Sequence, residues 1–517
     1  MDSKLVTNLL NAECFAHPVS ELSVIETHIA WLIKTGEYVY KIKKPVDFGF
    51  LNFTTLEQRK FFCEEEVRLN QRMSKELYVG VVRICGSQDT PFIAPDSSTD
   101  DAEVIEYAVK LRQFESGKLL SELLEQDQFD PAWLEQLADK IAEFHQRAPI
   151  VSPDSNWGEM DSIGQLAKDN YQQINTSLLS AADIDELKRL EIHSAKRFTQ
   201  LEHLLRARKI EGFVRECHGD LHLGNITLSD ERLVVFDCIE FNLEFRWIDR
   251  MADLAFLLMD LEARGHQRWA NRCLNRYIEQ TGDYRGFLLL PHYKAFRSMV
   301  RAKVAMLGEQ PNIEEFRRYL DLTRQYAQPA KPLLVLMHGL SGSGKSVLAN
   351  ALAQEINAIE IRSAVERRRI FRELSLQGES VELYGADMNM RTFHRMSEVT
   401  QVLLRTGQTV ILDATFIKQR ARRHFEKMAE SLGCPVRIIH CDAPDAVIRE
   451  RLNRRMIEKQ DRTDADERVM EKQMSIATPL SENERLITLF ADTTNTAVLD
   501  TIISALKDQS LIITALN

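Results

Sequence analysis

His218-Gly219-Asp220-Leu221-His222-Leu223-Gly224-Asn225 is the stretch whose reading decides the fold of the first half of this chain. An acid, Asp220, is followed after four residues by an amide, Asn225. Phosphoryl transfer uses such a pair: a carboxylate beside the acceptor hydroxyl and a metal-binding amide at the spacing of a protein-kinase catalytic loop. A further acid, Asp237, ends the apolar run Leu233–Phe236, where a strand would deliver the other metal ligand. Polar loops also use Asp and Asn as turn caps. Three positions in order, with a strand beside them, favour the catalytic reading.

Working upstream, Thr27–Ile33 and Tyr38–Lys43 read as a hairpin around Lys34-Thr35-Gly36-Glu37. Phe62–Met73 reads as a charge-rich helix, and Val79–Ile84 and Glu103–Leu111 as strands flanking a turn-rich stretch, Gly86–Asp101. From about residue 115 the pattern turns helical. Asp130-Pro131 looks like a helix start, with Asp130 as N-cap, and Leu134, Leu137, Ile141 and Phe144 follow at helical spacing. Leu254–Leu261, interrupted by Asp260, reads as a buried helix. Two prolines in Tyr326–Pro332 deny helix continuation and mark a linker. Strand–loop–helix repeats follow, the signature of a parallel α/β sheet. The expected division is therefore 1–325, a linker 326–332, and 333–517.

The run from His218 to Asn225, with Phe236-Asp237-Cys238-Ile239-Glu240-Phe241, resembles the aminoglycoside phosphotransferase and choline kinase-like family over roughly residues 25–325. That family often has proline where Leu223 stands here. The resemblance implies an α+β protein-kinase-like N-terminal domain. It makes Asp220 the catalytic base, and Asn225 and Asp237 the Mg²⁺ ligands. It makes Lys41 the phosphate-binding lysine, with Lys43 the alternative on the same strand face. Glu66 would be its partner, with Glu64 and Glu65 as neighbours. Glu106–Val109 would read adenine through the backbone. No GxGxxG precedes Lys41, which disfavours a protein-kinase activity. The acids Glu240, Asp249, Asp253 and Asp260 could face a cationic acceptor, but read more simply as surface charge or N-caps.

The second half carries Gly339-Leu340-Ser341-Gly342-Ser343-Gly344-Lys345-Ser346 between the apolar run Leu333–Met337 and a helical pattern through Val347, Leu348, Leu352 and Ile356. That context marks a P-loop. Gly339, Ser341, Gly342, Ser343 and Gly344 would turn backbone N–H groups onto phosphates at a helix N-terminus. Lys345 would offset β/γ charge and Ser346 would ligate Mg²⁺. Asp413 ends the run Thr409–Leu412 as a second metal-side acid. Arg449, Arg451, Arg454 and Arg455 form a cluster that reads either as a phosphate lid or as a solvated helix face. This half, about 333–510, is similar to the P-loop kinase group of gluconate kinase, zeta-toxin-like kinases and polynucleotide kinase, an AAA-type ATP-binding domain. That group usually has Asp-x-x-Arg after the second strand. Here Arg367 is in place, but the acid position is Ala364, and alanine accepts no proton. Glu366 or Asp413 would have to substitute, or the site binds ATP without efficient transfer.

Bulk properties set the frame. Of 517 residues, 44% are hydrophobic and 28% charged, as in ordinary globular proteins. A net charge of −11 gives no global attraction to nucleic acid or acidic membrane. The eight cysteines show no ligand-type spacing and fit a reduced, cytoplasmic setting. No apolar run spans a membrane. The expected protein is an ATP- and Mg²⁺-dependent phosphotransferase acting on a small-molecule hydroxyl. For the second half, a nucleotide-driven switch or a kinase acting on nucleotide sugars or RNA ends is the rival. Nucleic acid stays open as a partner of that half only, and the oligomeric state is not specified by the sequence.

Overall fold

A computed structural model of the chain describes residues 3–49, 51–94, 103–307, 310–328, 331–458 and 467–507. Part of the expected turn-rich stretch (95–101) and of the expected linker (329–330) lies outside the described residues. The chain forms two compact units, and the division is not a single point in sequence. One unit holds Met1–Arg264 and His292–Arg324; the other holds Gly265–Pro291 and Gln325–Asn517.

The first unit opens with an antiparallel six-stranded sheet in the order β1-β2-β3-β6-β4-β5. Its strands are β1 (Ser23–Glu26), β2 (Ala30–Lys34), β3 (Tyr38–Lys43), β4 (Tyr78–Gly86), β5 (Pro91–Ile93) and β6 (Val104–Arg112). The expected hairpin is β2–β3, with Lys34 opposite Val39. Thr27 lies outside it: its hydroxyl and N–H close a turn with Ala30, so a separate strand, β1, precedes β2. The expected helix is longer, Leu56–Ser74, because Thr55 and Gln58 form a capping box at its start. The helix expected to start at Asp130 spans Trp133–Arg147 instead. Asp130 accepts from the Ala132 N–H at 2.8 Å, outside the first turn. Short strands β7 (Val214–Glu216), β8 (Ile226–Ser229), β9 (Arg232–Val235) and β10 (Trp247–Asp249) frame the His218–Asn225 loop. β10 pairs with β7, and β8 with β9. Helix Arg250–Ala263 runs behind that loop with Met251–Leu261 buried throughout.

The second unit is a parallel sheet in the order β12-β13-β11-β14-β15. These strands are β11 (Leu334–His338), β12 (Ile359–Arg362), β13 (Val410–Asp413), β14 (Val436–Asp442) and β15 (Thr488–Asp492). β11 is fully buried, as expected for a central parallel strand. Val335 and Met337 pack on Leu348 and Leu352 of helix Lys345–Glu355. The helix Gln267–Thr281 belongs to this unit. Asn271 donates to the Ala358 carbonyl (3.1 Å), and Asn275 accepts from the Glu360 N–H (2.8 Å) at the edge strand β12. Among the described residues, no helix is long and apolar enough to cross a membrane.

Candidate active sites

In the first unit, β3 and helix Leu56–Ser74 deliver the charged groups. Lys41 Nζ lies 2.8 Å from Glu66 Oε1 and 2.7 Å from Asp237 Oδ1. Lys43, one strand period on, reaches the other oxygen of Glu66 at 2.6 Å and also pairs with Glu240. Glu66 is therefore shared by two lysines. Glu64 is exposed, and Glu65 pairs with Arg68 and Arg246. Burial opposes charge on both lysines, but Asp237 and Glu66 around Lys41, and Glu240 and Glu66 around Lys43, outweigh it and raise both. Burial likewise opposes ionisation of Glu66, yet the two ammonium groups hold it at about 2. Glu240, with burial against it and Glu66 close by, is shifted upward.

The His218–Asn225 loop is held from behind. The His218 and Gly219 N–H groups donate to the two oxygens of Asp253 at 3.0 and 2.8 Å, and the Leu223 N–H donates to Asp260 at 3.0 Å. Asp253 also bonds His145 at 3.0 Å. Gly219 sits at φ 90°, and a Cβ there would come within 2.8 Å of the Phe245 carbonyl, so only glycine fits. This presents Asp220 forward, with its side chain about a third exposed. Asn225 Nδ2 donates to both the Asp220 carboxylate and its carbonyl at 2.9 Å, which leaves Asn225 Oδ1 as the atom able to meet a cation. Burial works against the Asp220 charge, but His222 (3.3 Å) and His218 hold its carboxyl well below the usual range. Asp237 has φ 64°, an uncommon backbone state for a non-glycine residue. Its N–H donates to the Tyr78 hydroxyl. Asp237 and Asn225 together offer the oxygen donors a hard divalent cation takes.

Two sequence expectations change here. Glu106–Val109 lies within the sheet, with Val109 opposite Lys41 on one side and Val81 on the other. The Glu106 carboxylate is buried on Arg59 at 2.8 Å. Ala108 and Val109 pair with strands on both sides and cannot also read a base, whereas Glu106 and Tyr107 pair with β4 alone among the described residues. Of the four downstream acids, Asp253 and Asp260 brace the loop, Glu240 pairs with Lys43, and Asp249 caps its helix while pairing with Arg208. None is a surface charge. The signal was available: acids inside an apolar helix must find partners.

In the second unit the loop Gly339–Gly344 joins β11 to helix Lys345–Glu355. Gly339, at φ 139°, lies so close to β14 that a Cβ would sit 2.4 Å from the Cys441 carbonyl. Lys345 Nζ donates to the Leu340 carbonyl at 2.6 Å. Ser341 is tied to Gln473 by two bonds of 2.9 Å, and Thr493 donates to the Ser343 carbonyl at 2.8 Å. Gln473 and Thr493 were not singled out from sequence. Ser346 and Asp413 line one cavity of about 690 Å³ with Ser341, Gly342, Gly344 and Lys345. β13 lies next to β11, which brings Asp413 to the P-loop side of the sheet.

The arginines separate into different roles. Arg367 lines the cavity, donates to Asn389 at 3.1 Å and stands 5.4 Å from the Tyr384 ring. Arg451 braces the loop instead, donating to Thr493 at 2.9 and 3.0 Å. Arg449 lies 3.9 Å from Glu471, and Arg454 is exposed. The Arg455 side chain lies outside the described residues. Glu366 cannot replace the missing acid at Ala364. It is fully buried, accepts from the Tyr284 hydroxyl at 2.9 Å and pairs with Arg369 at 3.3 Å. All eight cysteines are buried, and none is joined in a disulfide.

Residues 60–290 match the model of the phosphotransferase enzyme family, and residues 334–480 match that of an AAA domain. The two matches fall in separate halves of the chain, a phosphotransferase family in the first and, in the second, an AAA domain that contains the P-loop. Uncharacterized proteins of Mycobacterium tuberculosis and Mycobacterium bovis are 29% identical over 451 residues, covering 85% of this chain and 88% of theirs. A glucosamine kinase solved with glucosamine, ADP and phosphate is 12% identical over 62% of this chain and 80% of its own, with TM-score 0.37. A gluconokinase from Sinorhizobium meliloti is 14% identical over 36% of this chain and 99% of its own, with TM-score 0.27.

Proposed function

We propose that the protein is a bifunctional ATP-dependent phosphotransferase whose first unit moves the γ-phosphate of ATP to a hydroxyl of a small molecule. The observation that carries this is the meeting of Lys41 with both Glu66 (2.8 Å) and Asp237 (2.7 Å), residues distant in sequence, in the unit that also presents Asp220 and Asn225. Lys41, steadied by Glu66, would take the nucleotide phosphates. Asp220, ionised at neutral pH, would orient the acceptor hydroxyl and receive its proton as the new P–O bond forms. Asn225 and Asp237 would hold Mg²⁺, which when bound offsets charge on the phosphates. The second unit would bind ATP at Gly339–Ser346, with Ser346 and Asp413 on the metal side. Chromatography of products formed from γ-labelled ATP with pooled metabolites tests the reading. Label in a phosphate ester, lost on Asp220→Asn, supports it; label released only to water sinks it.

A second reading concerns the C-terminal unit. Ala364 removes the acid from the usual place and Glu366 is committed elsewhere, so a nucleotide-operated switch without efficient transfer to hydroxyls also fits that unit.

A further inference from the structure

The P-loop cavity is lined by six basic side chains: Lys345, Arg362, Arg367, Arg368, Lys418 and Lys472. Among the described residues Asp413 is its one acid, and Arg362 stands 3.8 Å from it. In a chain of net charge −11 this is a concentrated positive interior. ATP accounts for Lys345, yet the lining also holds Arg367, beside the Tyr384 ring at 5.4 Å, Arg368, which donates to the Ala364 carbonyl at 3.2 Å, and Lys418. Arg367 Nε is buried there without a hydrogen-bond partner among the described residues. One Nη of the same guanidinium donates to Asn389 at 3.1 Å, and a planar, always-charged guanidinium facing the cavity suits a phosphate.

From this geometry we infer that the acceptor at the C-terminal site is a phosphate monoester, which attacks the γ-phosphorus through its own phosphate oxygen rather than through a hydroxyl. The inference rests on the reading that ATP binds at Lys345. It resolves the missing acid at Ala364. A hydroxyl nucleophile needs a base, whereas a phosphate monoester is already a dianion at neutral pH, its second pKa being about 6. What such an acceptor needs is cations to offset repulsion between two anions, and Arg367, Arg368 and Lys418 supply them. An acceptor phosphate oxygen bonds to the γ-phosphorus, the bridging β–γ P–O bond breaks, and ADP leaves with the electron pair. No proton moves. The product is a phosphoanhydride.

The test uses the full chain carrying Asp220→Asn, so that the first unit is silent. Nucleoside 5′-monophosphates and sugar phosphates are offered with γ-labelled ATP, beside the same compounds lacking the phosphate. Phosphorus NMR should show a new anhydride only with the phosphorylated set. The rate should follow the acceptor's own ionisation near pH 6. Arg367→Gln should raise the acceptor KM at least ~10-fold, as expected for loss of a charge-assisted pair, while ATP affinity stays unchanged. Arg367→Lys should recover part of it. Label in an ester of an unphosphorylated acceptor, label only in water, or indifference to Arg367→Gln overturns the inference. If ATP fails to bind at Lys345 in the first place, the underlying reading has failed instead, and direct ATP titration separates the two.

Discussion

Glu66 holds two lysines, and that asymmetry gives the sharpest expectation at the residue scale. Lys43→Met would leave Glu66 and Glu240 buried with Lys41 alone, an uncompensated charge. Activity of the first unit should fall at least ~10-fold, and Lys43→Met with Glu240→Gln should recover much of it, because the pair is removed together. Steady-state kinetics of the four combinations checks this; absence of recovery would mean that Glu240 does not balance Lys43. Asp220→Asn, in a chain with the P-loop disabled, should cut transfer at least ~10²-fold, within the range for loss of a general base. Unchanged turnover would remove Asp220 from that role. The sequence made this cluster partly legible. Period-two alternation places Lys41 and Lys43 on one face and cannot rank them. Three consecutive glutamates leave the partner to the helix's rotational phase, which the capping box at Thr55 sets.

At the scale of the element, helix Arg250–Ala263 works as a rigid back-plate. Asp253 and Asp260, two turns apart on a helix otherwise apolar from Met251 to Leu261, accept the backbone N–H groups that shape the His218–Asn225 loop. Asp260→Asn should lower kcat of the first unit while the melting temperature moves by a few degrees at most, and parallel assays decide. Burial opposes the Asp253 charge, yet His145, His218 and the loop amides keep its carboxyl at about 2. A depressed carboxyl stabilises above its unfolded value near 4 and loses that contribution as pH falls from about 4 toward 2. Acid titration of Asp253→Asn should lack that component. β12 shows the opposite sign. Burial and the neighbouring Asp413 push Glu360 up to about 8. Its ionisation therefore costs stability as pH rises from the ordinary carboxylate range through about 8. Glu360→Gln should flatten the thermal stability of the second unit over that interval; an unchanged slope would refute the assignment. Strand and helix types were readable from apolar periodicity. Commitments of backbone groups were not, which is why Glu106–Val109 read as an open hinge though Ala108 and Val109 pair with strands on both sides and Glu106 and Tyr107 with β4.

For the whole molecule, two nucleotide sites predict two binding events. Lys345→Ala should reduce calorimetric ATP stoichiometry from about two to one, with the remaining event lost on Asp237→Asn; loss of both by Lys345→Ala would mean one composite site. Restoring the acid, Ala364→Asp, should raise transfer from the C-terminal site to hydroxyl acceptors if the surrounding pocket accepts one. The motifs announced two halves because each lies within a continuous stretch of sequence. The path between them was not legible, since helix Gln267–Thr281 has ordinary amphipathic spacing and nothing local states which sheet it will cover. The chain passes between the units at residues 264–265, 291–292 and 324–325, so the two domains cannot be exchanged like beads on a string. A gene cut within 326–332 would strand Gln267–Thr281 on the wrong fragment, with Tyr277 and Ile278 uncovered and the edge of β12 stripped. Any ancestral joining of two independent enzymes has here become irreversible in the polypeptide itself: each half is now translated around a piece of the other.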